Sequence, residues 1–160
     1  LDVAETGATY RDNAILKARA FAKATGAWVL SDDTGLEVVA LNGAPGVFSA
    51  RYAGQQATGS ENVQKLLLDM KDVVDRRATF HCALALANPQ GEVVLESSGV
   101  LPGTILERPV GQGGFTYDFV FFEQKSGCTL AEMPAFAVDQ LSHRAVAVKA
   151  ILPQMQTLLS

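Results

Sequence analysis

The residues best suited to chemistry fall into three groups. Gly111-Gln112-Gly113-Gly114-Phe115-Thr116-Tyr117-Asp118 puts a bendable backbone, two ring faces and a hydrogen-bonding carboxylate in one loop. Ser142-His143-Arg144 puts a hydroxyl, an imidazole and a guanidinium at the start of a later helix. These are the parts needed to hold a flat, polar, charged ligand such as a nucleotide. A glycine-rich turn beside a strand, and a serine cap on a solvated helix, account for the same residues without a ligand. The third group, Ser31-Asp32-Asp33-Thr34-Gly35, sets two acids behind an apolar stretch. In extended backbone neighbouring side chains point to opposite faces, so only one of the two acids can look into a given site. Period alone does not say which, because a turn at Gly35 would reset the alternation. One reading is an Asp-rich turn in which an aspartate bonds its own backbone. The other is a Mg²⁺ site, which takes one or two carboxylates plus waters and ligand phosphates, with Glu5 as the second carboxylate. Neither acid has another evident cationic partner in the sequence, so the two are expected to approach one another and share the metal.

The elements that must position these groups can be read from period and punctuation. Ala14, Ile15, Ala18, Phe21 and Ala22 recur at helical spacing behind Thr9, which with Asp12 resembles a capping box, and Gly26 ends that helix. Ala27 to Leu30 reads as a buried strand running into the acidic turn, with a second strand from Leu36 to Ala40 and a turn at Asn42-Gly43-Ala44-Pro45-Gly46. Ser60 to Met70 is a helix started by Ser60, with Val63, Leu66, Leu67 and Met70 as its inner stripe. The period then changes: Thr79 to Ala87 and Glu92 to Ser98 are two strands of a hairpin joined by Asn88-Pro89-Gln90-Gly91. Beyond Pro102-Gly103 come a strand at Thr104-Ile105-Leu106, the glycine-rich loop and an apolar strand from Phe119 to Phe122. Thr129 to Glu132 is a capping box over a short helical turn, and Ser142 caps a last helix from Ala145 to Leu159. Helices and strands interleave without repeats, which predicts an α/β or α+β domain with a mixed, long-stranded sheet.

Composition narrows the function classes. A chain of 160 residues that is 48% hydrophobic buries the core of one ordinary domain, expected over 1–160. With 13 Lys+Arg against 17 Asp+Glu there is no basic field to track a nucleic acid polymer. A phosphorylated ligand would be handled locally, by a metal or a few cations. Cys82 and Cys128 are too sparse for a disulfide scaffold and lack metal-ligand spacing, which fits reduced thiols in a cytoplasmic protein. No apolar run approaches a membrane span. Leu1 in place of Met, followed at once by the turn-rich Ala4-Glu5-Thr6-Gly7, leads us to expect an upstream segment.

Taken together and in order, five segments resemble a known family. They are Ala4-Glu5-Thr6-Gly7-Ala8-Thr9-Tyr10-Arg11-Asp12-Asn13-Ala14-Ile15-Leu16-Lys17-Ala18-Arg19, Asp32-Asp33-Thr34-Gly35-Leu36, Gly43-Ala44-Pro45-Gly46-Val47-Phe48-Ser49-Ala50-Arg51-Tyr52, the glycine-rich loop, and Ser142-His143-Arg144. With compatible spacing along nearly the whole chain they closely resemble the Ham1-like noncanonical purine nucleoside triphosphate pyrophosphatases, or inosine triphosphatases. The resemblance implies hydrolysis of ITP, dITP and XTP to the monophosphate and pyrophosphate with Mg²⁺. It also implies a homodimer and a fold of two lobes around a long central sheet with a nucleotide cleft. Carried over by position, Glu5 matches a metal-binding glutamate, Asp33 a catalytic and metal-binding aspartate, and Lys17 a lysine facing the triphosphate. Thr34 stands where a substrate-contacting serine is usual. Phe115, Thr116, Tyr117 and Asp118 match a base-binding loop, and Ser142, His143 and Arg144 the residues that read the purine edge.

The chain also departs from the family pattern. An amino-terminal strand-helix unit with a phosphate loop is absent from the sequence, leaving a truncated domain by that comparison. A lysine usual a few residues before Ser142 is Val138, where a lost charge-assisted hydrogen bond is worth about 1.5–3 kcal/mol. The proline usual after Asp118 is Phe119, and the glycine usual between the two aromatics is Thr116. If that position needs positive φ, threonine adopts it only with strain. These departures keep a second class open: a chain that binds a nucleotide or a partner subunit and turns over poorly.

Overall fold

The computed structural model describes residues 1–160. In chain order the elements are α1 (Tyr10–Thr25), β1 (Val29–Val38), β2 (Pro45–Gly46), α2 (Gly59–Asp69), β3 (Arg77–Ala87), β4 (Val93–Ile105), β5 (Phe121–Glu123), β6 (Cys128–Thr129), α3 (Ala135–Leu141) and α4 (His143–Leu159). The strands form one six-stranded sheet in the order β2-β1-β3-β4-β5-β6. The antiparallel pairs include β1 with β2 (Leu36 opposite Gly46), β4 with β5 (Thr104 opposite Phe122) and β5 with β6 (Phe122 opposite Thr129). The mixed α/β class expected from the sequence is what the chain adopts. No helix is long and apolar enough to cross a membrane.

By its internal packing the chain divides into two compact units: Leu1–Thr34, His81–Val100 and Ser142–Ser160 in the first, Gly35–Phe80 and Leu101–Leu141 in the second. In the first unit β3 is buried on both faces, which is why its sequence is a nearly unbroken apolar run. Ala83, Ala85 and Ala87 meet the alanine stripe Ala14, Ala18 and Ala22 of α1. Cys82, Leu84 and Leu86, on the alternate face, meet Ala147 and Ile151 of α4. In the second unit α2 lays Val63, Leu66 and Met70 against Leu36, Val38, Ile105 and Phe121. Arg76 there sends its guanidinium to the carbonyls of Met70 (2.9 Å) and Val73 (3.3 Å) beyond α2 and of Ile105 (2.6 Å) and Leu106 (3.0 Å) at the end of β4, tying the two chain segments together.

The termini of α1 fall where the caps predict. The Thr9 hydroxyl accepts from the Asp12 amide, and Gly26 takes the left-handed φ of 65° that ends the helix. Four expectations are corrected. The strand read as ending in an acidic turn continues unbroken through Gly35 to Val38, because Leu36 and Glu37 are held extended by pairing with β2. Pro102-Gly103 likewise does not divide β4: a Cβ at Gly103 would lie 2.5 Å from the Phe122 carbonyl, so the glycine serves close approach of β5 rather than a turn. The cap of α2 is Thr58 rather than Ser60, in a reciprocal capping box with Glu61. The stretch read as a strand from Phe119 is a 3₁₀ turn over Thr116–Phe119 followed by a shorter strand from Phe121.

Candidate active site

Continuity of β1 decides the question the sequence left open, because alternation is not reset between Asp32 and Asp33. Asp33 turns inward and is 7% exposed. Asp32 turns the other way and accepts two bonds from Arg144 at one carboxylate oxygen, from Nε at 3.0 Å and Nη2 at 2.7 Å. The face of α1 opposite Asp33 presents Asn13 and Lys17, four residues apart and therefore adjacent on the helix surface. Lys17 Nζ lies 3.4 Å from Glu5 Oε1 and 3.6 Å from Asp33 Oδ1. The sequence-based premise that neither acid has a cationic partner is thus wrong: helical spacing puts one ammonium within ion-pair range of both.

Burial, more than anything else, raises the Asp33 carboxyl to about 6, and neighbouring Glu5 pushes the same way against the opposing pull of Lys17 and Asn13. An acid with this environment gains from added positive charge. The donors at hand are carboxylate oxygens, a hard set, and two of them suffice for Mg²⁺ when a ligand's phosphates complete the shell. No group of three or more His, Cys, Asp or Glu side chains gathers elsewhere to rival them. Thr34, next along β1, is half-buried.

Ser142 caps α4, its hydroxyl accepting from the Ala145 amide at 3.1 Å, as the ligand-free reading of that residue required. His143 begins the helix, partly buried. Burial first, then the Arg144 charge, lowers its imidazole to about 4, so it is neutral near pH 7. Two β4 residues that sequence reasoning passed over fix where this helix starts. Ser97 Oγ donates to the Ala147 carbonyl at 2.7 Å, and a Cβ at Gly99 would lie 2.3 Å from the His143 carbonyl. Their signal is a hydroxyl and a glycine two apart on one strand face. Asn13 was missed as well; its signal is its place one helical turn before Lys17.

In the second unit the glycine-rich loop ends in the 3₁₀ turn Thr116–Phe119. The Phe115 ring is 83% exposed, while Tyr117 is buried and donates its hydroxyl to the Ser49 carbonyl at 2.7 Å. The ring offered to solvent is therefore Phe115, and Tyr117 belongs to the core. Asp118 Oδ2 accepts from the Phe115 amide at 2.9 Å and closes the turn. Thr116 takes φ 47°, the left-handed region that a β-branched residue enters only with strain. Its side chain abuts α2, since a Cβ at Gly59 would come within 2.8 Å of Thr116 Oγ1. A concavity of about 370 Å³ lies beside this turn, lined by Gly59, Ser60, Val63, Pro109, Phe115 and Thr116 among others. Val138 is half-buried on α3, a helix the sequence reading did not foresee.

A profile of the Ham1 family matches residues 1–154. The chain belongs to the Ham1 family. The dITP/XTP pyrophosphatase of Nostoc sp. is 46% identical over 160 residues, which covers all of this chain and 80% of that relative. The dITP/XTP pyrophosphatase of Escherichia coli (strain K12) is 46% identical over 155 residues, 95% of this chain and 79% of the relative. Among solved structures, the Staphylococcus aureus Ham1 protein superposes with a TM-score of 0.91 at 40% identity over 99% of this chain and 82% of its own. A Ham1 protein from Coxiella burnetii gives 0.88 at 44% identity, covering 99% and 80%. Within the Ham1 family, then, this chain carries a cluster of Glu5, from the loop before α1, with Lys17 of α1 and Asp33 of β1.

Proposed function

We propose that this chain hydrolyses noncanonical purine nucleoside triphosphates, ITP, dITP and XTP, to the monophosphate and pyrophosphate. The reading is supported by the convergence of Glu5, Lys17 and Asp33 in a chain whose relatives are named dITP/XTP pyrophosphatases. Glu5 and Asp33 would hold Mg²⁺, which when bound supplies positive charge to phosphate oxygens.

The chemistry forms a bond from a water oxygen to the α-phosphorus and breaks the bond from that phosphorus to the oxygen bridging to the β-phosphate, so that pyrophosphate leaves and the proton lost by the attacking water passes to solvent. Lys17, in ion-pair range of both acids, is assigned to offset charge that develops on the leaving group. Asp33 orients the water; a carboxylate engaged with a cation is more acidic and a poorer base, so ligation and orientation are its firmer roles. Thr34 is assigned to substrate contact by its place beside Asp33. For the base, the Arg144 guanidinium, neutral His143 and Ser142 are assigned to donors that favour a 6-keto group, and an adenine 6-amino group would present hydrogens to those same donors. Phe115 is assigned to stacking, with Thr116, Tyr117 and Asp118 shaping its turn. The same reading makes the protein a homodimeric, cytoplasmic enzyme, the first of which sedimentation velocity checks.

The direct test is pyrophosphate release from ITP, dITP, XTP, ATP and GTP, with Mg²⁺ and with EDTA. Release from the three noncanonical substrates well above that from ATP, abolished by EDTA, is the expected result. No release from any of them, or equal release from ATP, would overturn the proposal.

A further inference from the structure

The loop that carries Glu5 has no regular structure of its own, yet Glu5 must be held at a set distance from Asp33 for the two to act together. One side chain connects them. Asn13 is fully buried in the first turn of α1. Its Oδ1 accepts from the Gly7 amide at 2.7 Å, and its Nδ2 reaches the Gly7 carbonyl at 3.5 Å and Asp33 Oδ2 at 3.4 Å. A planar amide offers one acceptor and two donors in a fixed fork, which is the set these three partners require. Aspartate could accept from Gly7 but would repel Asp33, and leucine of similar size could do neither. The loop side of the tether is equally demanding. A Cβ at Gly7 would stand 2.7 Å from both Asn13 Oδ1 and Asp12 Cβ, so only glycine lets the loop fold back onto the helix.

We propose that Asn13 is a positioning residue that ties the Glu5 loop to Asp33 through Gly7 and so sets the spacing of the two carboxylates for a divalent cation. The inference rests on the reading of Glu5 and Asp33 as ligands. Asn13 is a tether rather than a ligand: its oxygen is turned to the Gly7 amide, and the atom it presents to Asp33 is its amide nitrogen, which donates and cannot ligate a cation.

The test uses Asn13→Leu and Gly7→Ala in the full chain, each shown to be folded by a cooperative thermal transition. Binding of Mn²⁺ alone is followed by the loss of free Mn²⁺ signal in electron paramagnetic resonance. Exchange of the Gly7 amide is measured, and the half-saturating Mg²⁺ concentration is found for pyrophosphate release from ITP. Both variants should weaken Mn²⁺ binding and raise half-saturating Mg²⁺ by at least about tenfold, more than they change kcat at saturating metal. Asn13→Leu should also speed Gly7 exchange. Gly7→Ala leaves every candidate ligand chemically intact, so its agreement with Asn13→Leu separates spacing from loss of a donor, and it carries the test alone if Asn13→Leu does not fold. Wild-type chain that binds no Mn²⁺ and releases no pyrophosphate would overturn the ligand reading itself. Wild-type chain that does both, with variants indistinguishable from it in metal dependence, would overturn the role of Asn13 alone.

Discussion

The acid cluster of the first unit and the glycine-rich loop of the second are built on opposite plans. In the cluster, Asp33 sits on a strand, Lys17 and Asn13 on a helix, and Glu5 on a loop tied to that helix at Gly7. Polar groups are bonded to other polar groups before any ligand arrives. In the loop, Gly111, Gly114 and Thr116 all take positive φ, and the Phe115 ring is left 83% exposed. On the proposed function, the difference means that the two ends of a nucleotide would be served differently. Charged phosphate would be met by a preorganised cluster, whose arrangement is settled on folding. The stacking face offered to a base would be the exposed Phe115 ring, whose ordering on binding costs side-chain entropy.

The largest expected effect comes from breaking the preorganised region at its centre. Asp33→Asn should lower turnover of ITP by about a hundredfold or more. It should do so without loss of stability, because the wild-type group is a buried acid held above its ordinary range. The sign follows from linkage. The Asp33 pKa rises from 3.8 to about 6 on folding, so the folded chain binds the extra proton, and the stability this gives is present at low pH and lost as pH rises to about 6. Asp33→Asn in EDTA should therefore gain stability relative to wild type between pH 4 and 6.5. His143, lowered from 6.5 to about 4, pulls the opposite way over that window but is common to both chains, so the difference between their denaturant midpoints isolates Asp33. A mutant that loses stability at pH 7 would mean that Asp33 is held as a structural ion pair with Lys17.

What was legible beforehand follows the same division. Thr9, Gly26 and the alanine stripe gave α1 its limits and its buried face, because capping and helical period act within a few residues. The acids were legible as a pair but not in direction, since Gly35 reads locally as a turn and it is the place of β1 inside the sheet, between β2 and β3, that keeps the strand extended. Gly103 misled for a related reason: the approach of Phe122 that requires it comes from a strand far along the chain. The burial of Tyr117 has no local signature, because it depends on Ser49, 68 residues away in the chain, whereas Asn13 carried a local signal, its place one helical turn before Lys17, that shows its position but not its bond to Asp33.

Two substitutions sharpen the comparison at the base. Arg144→Ala removes charge-assisted donors worth about 1.5–3 kcal/mol and should raise KM for ITP by roughly 10- to 150-fold while leaving ATP nearly unaffected. Phe115→Ala removes a stacking face worth about 1–3 kcal/mol, so KM should rise about 5- to 150-fold for both nucleotides alike, because every base has a π-face. Steady-state kinetics on the two substrates distinguishes them. Equal losses for ITP and ATP in Arg144→Ala would make that residue a phosphate contact or, through its pairing with Asp32, a purely structural one. Phe115→Ala should leave the melting temperature almost unchanged, since an exposed ring packs on little.

The smallest effect, and the most direct probe of how the loop is built, is expected at Thr116. A residue with a Cβ pays about 1–2 kcal/mol in the left-handed region, and a β-branched one is among the least tolerant. Thr116→Gly removes that strain but frees the unfolded chain, a loss of roughly 0.5–1 kcal/mol. The balance is a net gain of up to about 1.5 kcal/mol, or up to about 3–6 °C in Tm for a chain of this size. Contact of Thr116 Oγ1 with the first turn of α2 at Gly59 could supply the opposing stabilisation, and Thr116→Ala distinguishes the two. Alanine keeps the Cβ and its strain but loses the hydroxyl, so it should be no more stable than wild type if strain dominates. If Thr116→Gly instead lowers Tm by as much as Thr116→Ala, packing against α2 holds the turn in place. The loop would then be as preorganised as the acid cluster, and the contrast between the two regions would fail at its own strained residue.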